Sequence, residues 1–434
     1  MTDRCGSLTL PANTQDRLIN AARHRFSDWR HHAVLELRGR LNENRLSRAV
    51  RLSLDAEPIL GSRFMADRYR PFWQQYSDPD GIEWFALEKA IDKAKAINEF
   101  LAVPLAGKHD QQAKIKLIRA RDNDVLCIKM SHACCDGGGL RAYQHILSEI
   151  YTCLDKGGNY SLAFPTAARR DQNSILGKLG PGNLLKACMQ GPALRQPTWA
   201  FPSRACEPER ALLSVRRLPG RYVQALADFA EKNGASTNDL ILAAYYRALF
   251  KMIDPPYGKP QEILITLDLR RHFGADRVDA VNNLSSAVAT RIAREPAESF
   301  AETLAKVSRG MTAAKSNLPG IAVAVLFGLL SLLSYEQNVA MVQRLKSFMD
   351  QTGRFSPILS NIGNISKSTI RFGPTPVEDA YHVSPALYAP GFMLGACTYN
   401  NRLTFTVSYY EPGTPRDKVE EFLDALLVEL DSCI

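Results

Sequence analysis

No C-x-x-C pair occurs among the nine cysteines of this 434-residue chain. Their number is odd, and Cys127, Cys134 and Cys397 sit inside apolar runs. That usage argues against a disulfide framework or a zinc module and for reduced thiols in a cytoplasmic setting. Met1 to Thr14 lacks a charged segment followed by an apolar one, so no signal peptide is expected. There is no run of five basic residues and no zinc-finger or RNA-binding signature, so nucleic acid is not expected as a partner. Nor is there an uncharged apolar run of bilayer length. Ser316 to Tyr335 carries no charge, but its unbroken apolar part, behind Pro319-Gly320, is about 13–15 residues, short of the roughly 20 a span needs. The reading taken here is a buried helix, with a membrane span and a lipid-facing or acyl-tunnel helix as the alternatives.

What is present is an ordinary globular composition, 45% hydrophobic and 23% charged, enough to bury a large core. The length fits two or three domains or one large unit. The formal charge of +9 favours anionic partners, such as a phosphorylated cofactor, an acidic carrier protein or a lipid surface; greater solubility alone is the plainer reading.

Apolar spacing predicts helices over residues 15–30, from Asn42 to Leu54, over 86–101, and after residue 139 through Leu140, Tyr143, Ile146, Leu147, Ile150 and Leu154. Strand character marks 32–39, Ala113–Arg119 and Asp124–Met130. Residues 156–210, rich in Gly and Pro, read as a linker, and the boundary between two units, 1–190 and 191–434, is placed there. The second unit repeats the mixture: strands at 211–218, 262–269 and 358–365, helices at 221–233, 240–252, 297–316, 320–334, 336–350 and 415–431, and a hairpin around Asn400-Asn401. No internal repeat is visible. The fold class expected is α+β, with helices packed on sheets.

The most informative stretch is His132-Ala133-Cys134-Cys135-Asp136-Gly137, an H-x-x-x-D-G string where a strand pattern stops and a helix pattern starts. A histidine there can move a proton near neutral pH, and Gly137 to Gly139 permit a tight backbone path. The competing readings of His132 are a satisfied core histidine and, with Asp136, a metal site. No third ligand cluster is evident, so no metal is expected. Cys134 and Cys135 are read as packing residues and not as a thiol nucleophile. Arg270, Arg271 and His272 form either a phosphate-binding patch or a salt-bridge set. Asn282, Asn283, Asn361 and Asn364 either line a cavity or serve strand-end turns.

At these residues the chain resembles the CoA-dependent acyltransferase superfamily, which includes condensation domains of nonribosomal peptide synthesis, alcohol acyltransferases, wax ester synthases and polyketide-associated acyltransferases. Leu41–Phe64 resembles the family's early helix and its Pro-Ile-Leu-x-x-Arg-Phe exit. Ser131-His132-x-x-x-Asp136-Gly137 matches H-H-x-x-x-D-G, with Ser131 replacing the first histidine. Gly234–Ala244, Asp268-Leu-Arg-Arg and Ser360-Asn-Ile-Gly resemble later segments. The resemblance implies two chloramphenicol-acetyltransferase-like subdomains in a V, with His132 in a tunnel between them. It implies His132 as general base and Asp136 as a structural residue paired with Arg270 rather than a triad member, with Gly137 completing the motif. No tightly bound cofactor is implied; acyl-CoA or an acyl-carrier-protein thioester would be the cosubstrate, and a small hydroxyl or amine compound the acceptor. Ser285, Ser360 and Asn361 are candidates for oxyanion or tunnel-lining roles, alongside backbone N–H groups of Gly137 to Gly139. A freestanding, monomeric, cytoplasmic acyltransferase is expected. The alternatives are a catalytically silent condensation-like module that docks carrier proteins or partners, and a lipid acyltransferase using Ser316–Tyr335 as its membrane contact.

Overall fold

The computed structural model describes residues 8–105, 110–160, 196–276, 280–316 and 318–434, with isolated positions between 177 and 186. The boundary at 190/191, and most of the linker, lie outside the described residues.

Two large sheets organise the chain. The first has five strands in the order Val377–Val383, Arg30–Leu37, Asp124–Ser131, Ala113–Arg119 and Phe85–Lys89. Its pairs are antiparallel except the last, which is parallel. The central strand, Asp124–Ser131, is buried at every residue, because Val125, Leu126, Cys127 and Ile128 fill a position covered on both faces. Helices Glu43–Ala56 and Gly137–Asp155 pack on each other beside this sheet. The first buries Leu46, Ala49, Val50 and Leu54 behind an Asn42 cap, and the second buries Leu140, Tyr143, Leu147 and Ile150.

The second sheet has six strands, ordered Ser285–Ala293, Pro260–Asp268, Ile358–Asn364, Met393–Tyr399, Arg402–Glu411 and Arg210–Leu218. Helix Thr237–Ile253, apolar on nearly every side, lies between helices Arg416–Asp431 and Phe300–Lys315. Asn400 and Asn401 both take positive φ, 49° and 58°, and close the hairpin between Tyr399 and Arg402.

The fold is thus mixed α/β with two subdomains, each with its own apolar core. The strand Val377–Val383 belongs to the second half of the sequence but pairs with Arg30–Leu37, and the chain then returns to the second sheet. That excursion brings His382 Nε2 within 2.9 Å of Gln144 Oε1 on helix Gly137–Asp155.

Three expectations change. The helix expected over 86–101 is a strand, Phe85–Lys89, followed by a shorter helix, Lys93–Ala102. Phe85 and Leu87 satisfy either period, and the free edge of Ala113–Arg119 decides for the strand. The helix expected over 15–30 ends at Ala22, and the chain then turns so that Arg30 can enter the first sheet. The apolar segment after Pro319 is not a buried helix. It runs only from Ile321 to Leu330, with only Ile321 and Ala324 buried.

Candidate active site

The site forms where strand Asp124–Ser131 runs out. The backbone N–H of His132 donates to the carbonyl of Trp29 (2.7 Å), and Ser131 O accepts from Cys134 N (3.2 Å), which turns the chain toward the next helix. Asp136 caps that helix by accepting from Gly139 N at 2.8 Å. Gly137 to Gly139 do not adopt positive φ, so their use is not conformational freedom as expected from the sequence but close approach. A Cβ on Gly139 would stand 2.8 Å from Asn282 O and from Cys135 Cβ, and one on Gly138 would collide with the Arg270 guanidinium.

Asp136 faces away from the imidazole. Its Oδ2 accepts from Arg270 Nη1 (3.0 Å) and Leu284 N (2.7 Å), and its Oδ1 lies 2.9 Å from Arg270 Nη2. Arg270, 1% exposed, also donates to Asp268 Oδ1 and to the Asn282 carbonyl. Burial alone would raise the Asp136 carboxyl, but the Arg270 charge and the donated hydrogen bonds outweigh it and hold the carboxyl below its ordinary value. Arg270, buried and with both terminal nitrogens engaged, is unavailable to a phosphate. Arg271 is exposed, and His272 Nε2 lies 3.1 Å from Pro319 O.

His132 itself remains partly exposed. Its Nδ1 lies 3.2 Å from Asn283 Oδ1. The neighbours of Asn283 fix which way this amide points. Its Nδ2 lies within 2.9–3.1 Å of His132 O, Ala133 O and Asp16 Oδ1, and these can only accept. Oδ1 therefore faces the imidazole, and Nδ1 must carry the proton. That leaves Nε2 with a free lone pair. Desolvation pushes the imidazole below its ordinary pKa, partly offset by the Asp136 charge and the Asn283 hydrogen bond, so the ring is neutral at pH 7. Asp16 is anchored in turn by Trp73 Nε1 (3.0 Å) and by the cap of helix Thr14–Ala22.

Two neighbours of the imidazole were not anticipated. The His31 ring centroid is 4.2 Å from that of His132, and Trp29 meets His132 edge-on at 5.5 Å. Both His31 nitrogens and Trp29 Nε1 are buried without a hydrogen-bond partner. Trp29 also holds φ at 49°, a strained conformation for a bulky residue. The sequence signal was available: His31-His32 interrupts an otherwise apolar strand.

Ser285 opens its strand opposite Asp268, and its carbonyl accepts from Gln15 Nε2. Ser360 Oγ accepts from Thr266 Oγ1 (3.4 Å). Asn361 donates to Asn238 Oδ1 (3.1 Å) and accepts from Gly363 N (2.9 Å). Cys134 and Cys135 are buried, with Cys134 Sγ 3.1 Å from Ser131 O. Among the described residues, no three His, Cys, Asp or Glu side chains gather as a metal would need.

The two-subdomain architecture is similar to that of solved condensation domains and of an acetyltransferase. Residues 15–167, which include His132, Asp136 and Gly137, match the Condensation domain family model. The first condensation domain of the calcium-dependent antibiotic synthetase, in complex with a substrate analogue, is similar over 99% of this chain and 97% of its own, with TM-score 0.72 and 18% identity. Trichothecene 15-O-acetyltransferase from Fusarium sporotrichioides is similar over 100% and 96%, with TM-score 0.72 and 11% identity. Polyketide synthase associated protein 5 from Mycobacterium tuberculosis is similar over 98% of both chains, with TM-score 0.64 and 15% identity. At these identities the likeness establishes the fold. No curated protein matches the sequence.

Proposed function

We propose that this protein is an acyltransferase that moves an acyl group from a CoA or carrier-protein thioester to a hydroxyl or amine, with His132 as general base. The observation that carries this reading is the amide of Asn283, oriented by three acceptors so that it pins the proton on Nδ1 of His132 and leaves Nε2 bare. Nε2 takes the acceptor's proton as its oxygen or nitrogen attacks the thioester carbonyl. The tetrahedral intermediate then collapses, the C–S bond breaks, and the thiolate takes the proton back from Nε2. The products are an ester or amide and a free thiol, the imidazole ends as it began, and no metal is called upon. The net charge of +9 suits either anionic donor.

The test is acceptor-dependent thiol release. Purified protein is given acyl-CoA or acyl-carrier protein together with panels of alcohols and amines, and the acylated product is followed by mass spectrometry. Acceptor-dependent turnover is expected. Tight binding of acyl-carrier protein with no turnover on either panel would replace the enzyme with the silent docking module.

Asn283→Ala is expected to lower kcat about 10²-fold, the scale of a misplaced catalytic group, with KM little changed. Nitrogen-15 NMR of labelled imidazole should show the Nδ1–H tautomer in the native protein and a mixture in the variant. An Nε2–H tautomer in the native protein would overturn the mechanism.

A further inference from the structure

Two side chains touch the His132 imidazole and hold polar atoms that no group among the described residues satisfies. The His31 ring lies 4.2 Å from that of His132, centroid to centroid, and is 6% exposed. Neither of its nitrogens has a hydrogen-bond partner, and the same is true of the indole nitrogen of Trp29, which meets His132 edge-on at 5.5 Å. A third side chain of this kind sits close by. Strand Val377–Val383 pairs Val383 with His32, and the chain beyond it keeps to the same neighbour: Ser27 Oγ donates to Ala386 O (2.5 Å) and Tyr388 N to Phe26 O (2.7 Å). Ser384 therefore runs beside His31. It is 3% exposed, and its hydroxyl is likewise unpartnered.

Buried polar atoms are normally paired, because each one left unpaired forfeits the bonds it had in water. Here the unpaired atoms gather around the reacting ring, where a substrate has to come. The φ of 49° at Trp29 points the same way, since strain at a bulky residue persists where the surroundings need its side chain in one place. The chemistry of the set defines its partner. Burial holds His31 well below its ordinary pKa, so the ring is neutral and offers one N–H donor and one bare acceptor. The Ser384 hydroxyl also offers both, and the Trp29 indole donates only. None of the three carries a charge, so a carboxylate, phosphate or ammonium placed on them would be buried without a counterion. A carbonyl would leave the bare nitrogen of His31 unanswered. A hydroxyl, which donates and accepts at once, answers it.

We propose that His31, with Trp29 and Ser384, binds a second, uncharged hydroxyl of the acyl acceptor, on the carbon beside the one whose oxygen or nitrogen reacts. This rests on the acyl-transfer reading and narrows its acceptor to vicinal diols and 1,2-amino alcohols. The spacing of the rings sets the adjacency. The reacting atom hydrogen-bonds Nε2 of His132, and an imidazole in contact with that ring reaches only a group that is itself next to the reacting atom. His31 is then a specificity residue. It holds the neighbouring hydroxyl before and during the transfer, and no proton passes through it.

The test is thiol release from acyl-CoA and from acyl-carrier protein with matched acceptors: 1-hexanol against 1,2-hexanediol, and hexylamine against 1-amino-2-hexanol. In the pair that turns over, the hydroxylated member is expected to have a kcat/KM at least about tenfold higher, since the plain chain leaves buried polar atoms unpaired. His31→Leu should bring that ratio to about one, and Ser384→Ala, which removes a single hydroxyl, should narrow it. A residue needed only for packing would slow both members of a pair alike and leave the ratio standing. The urea midpoint of His31→Leu at about pH 8 is expected to be no lower than that of the native protein, because an apolar side chain replaces an unpaired polar one. Ser384→Ala carries the test should His31→Leu not fold. Equal kcat/KM within each pair for the native protein, or a preference that both variants keep, overturns the inference and leaves the transferase in place. No thiol release with any acceptor brings down the transferase reading and this one with it.

Discussion

His132→Ala is expected to lower acceptor-dependent thiol release by about 10²–10⁴-fold, the usual worth of a positioned acid–base group, while leaving the urea unfolding midpoint nearly in place. Asp136→Ala is expected to do something different. It removes the partner of a guanidinium that is 1% exposed, the cap of helix Gly137–Asp155 and the acceptor for Leu284 N in one step. Breaking such a buried pair typically costs about 3–5 kcal/mol, so stability and rate should fall together. The double variant Asp136→Leu/Arg270→Met should recover a large part of the stability, because neither charge is then left alone in the interior. Urea denaturation and steady-state rates on the four proteins check all of this. Asp136→Ala with native stability and lost rate would make the aspartate a triad member after all, although its oxygens point to Arg270 and the helix end and not to the imidazole.

Acid should unfold this protein sooner than its carboxylates alone would allow. His31, His32 and His382 are 6%, 4% and 2% exposed. Burial drives the first two well below the ordinary imidazole pKa of 6.5 and brings His382 to about 3. The neighbouring charges add to the effect: His132, His32 and His382 act on His31, Arg30 and Lys129 on His32, and Arg141 on His382. These groups are neutral in the folded chain and take up protons near pH 6.5 once unfolded. Above that pH both states are neutral and the stability is complete. As the pH falls below it, the unfolded chain binds more protons and the folded state loses ground. Each histidine can contribute up to about 1.4 kcal/mol per pH unit, so three acting together reach about 4 kcal/mol per unit. Against a typical total of about 5–15 kcal/mol, cooperative unfolding should set in between pH 6 and 4. Urea midpoints measured from pH 8 downward should be flat to about 6.5 and then fall steeply, and His382→Leu should make the fall shallower. Midpoints unchanged at pH 5 would mean these rings find partners or water in solution. Proton transfer by His132 should persist somewhat below pH 6.5, since its own pKa is lowered too.

The sequence by itself determined the H-x-x-x-D-G turn and its support. The short apolar run ending at Met130, the spacing from His132 to Asp136, and Asp136 ahead of a helical pattern are local signals, and local chemistry produces them: a strand end, a capped helix and a glycine turn between. Leu140 through Ile150 on one helical face was equally legible, because burial of an apolar stripe needs no knowledge of what covers it. The mixed α/β class followed from the same periodicities.

Only the tertiary structure decided the rest. Phe85–Lys89 is a strand because an edge 30 residues further on was free to pair with it, and nothing in its own composition says so. Asn283 is 151 residues from His132, and only the packing of one subdomain on the other turned one of several asparagines into the group that settles which imidazole nitrogen holds the proton. The helix after Pro319 illustrates the limit most directly. Its apolar composition was plain, but whether such a helix is covered depends on the area its neighbours present. Here helix Thr14–Ala22 and strand Ser285–Ala293 cover one side of it, leaving most of its residues half-buried and Leu329 exposed.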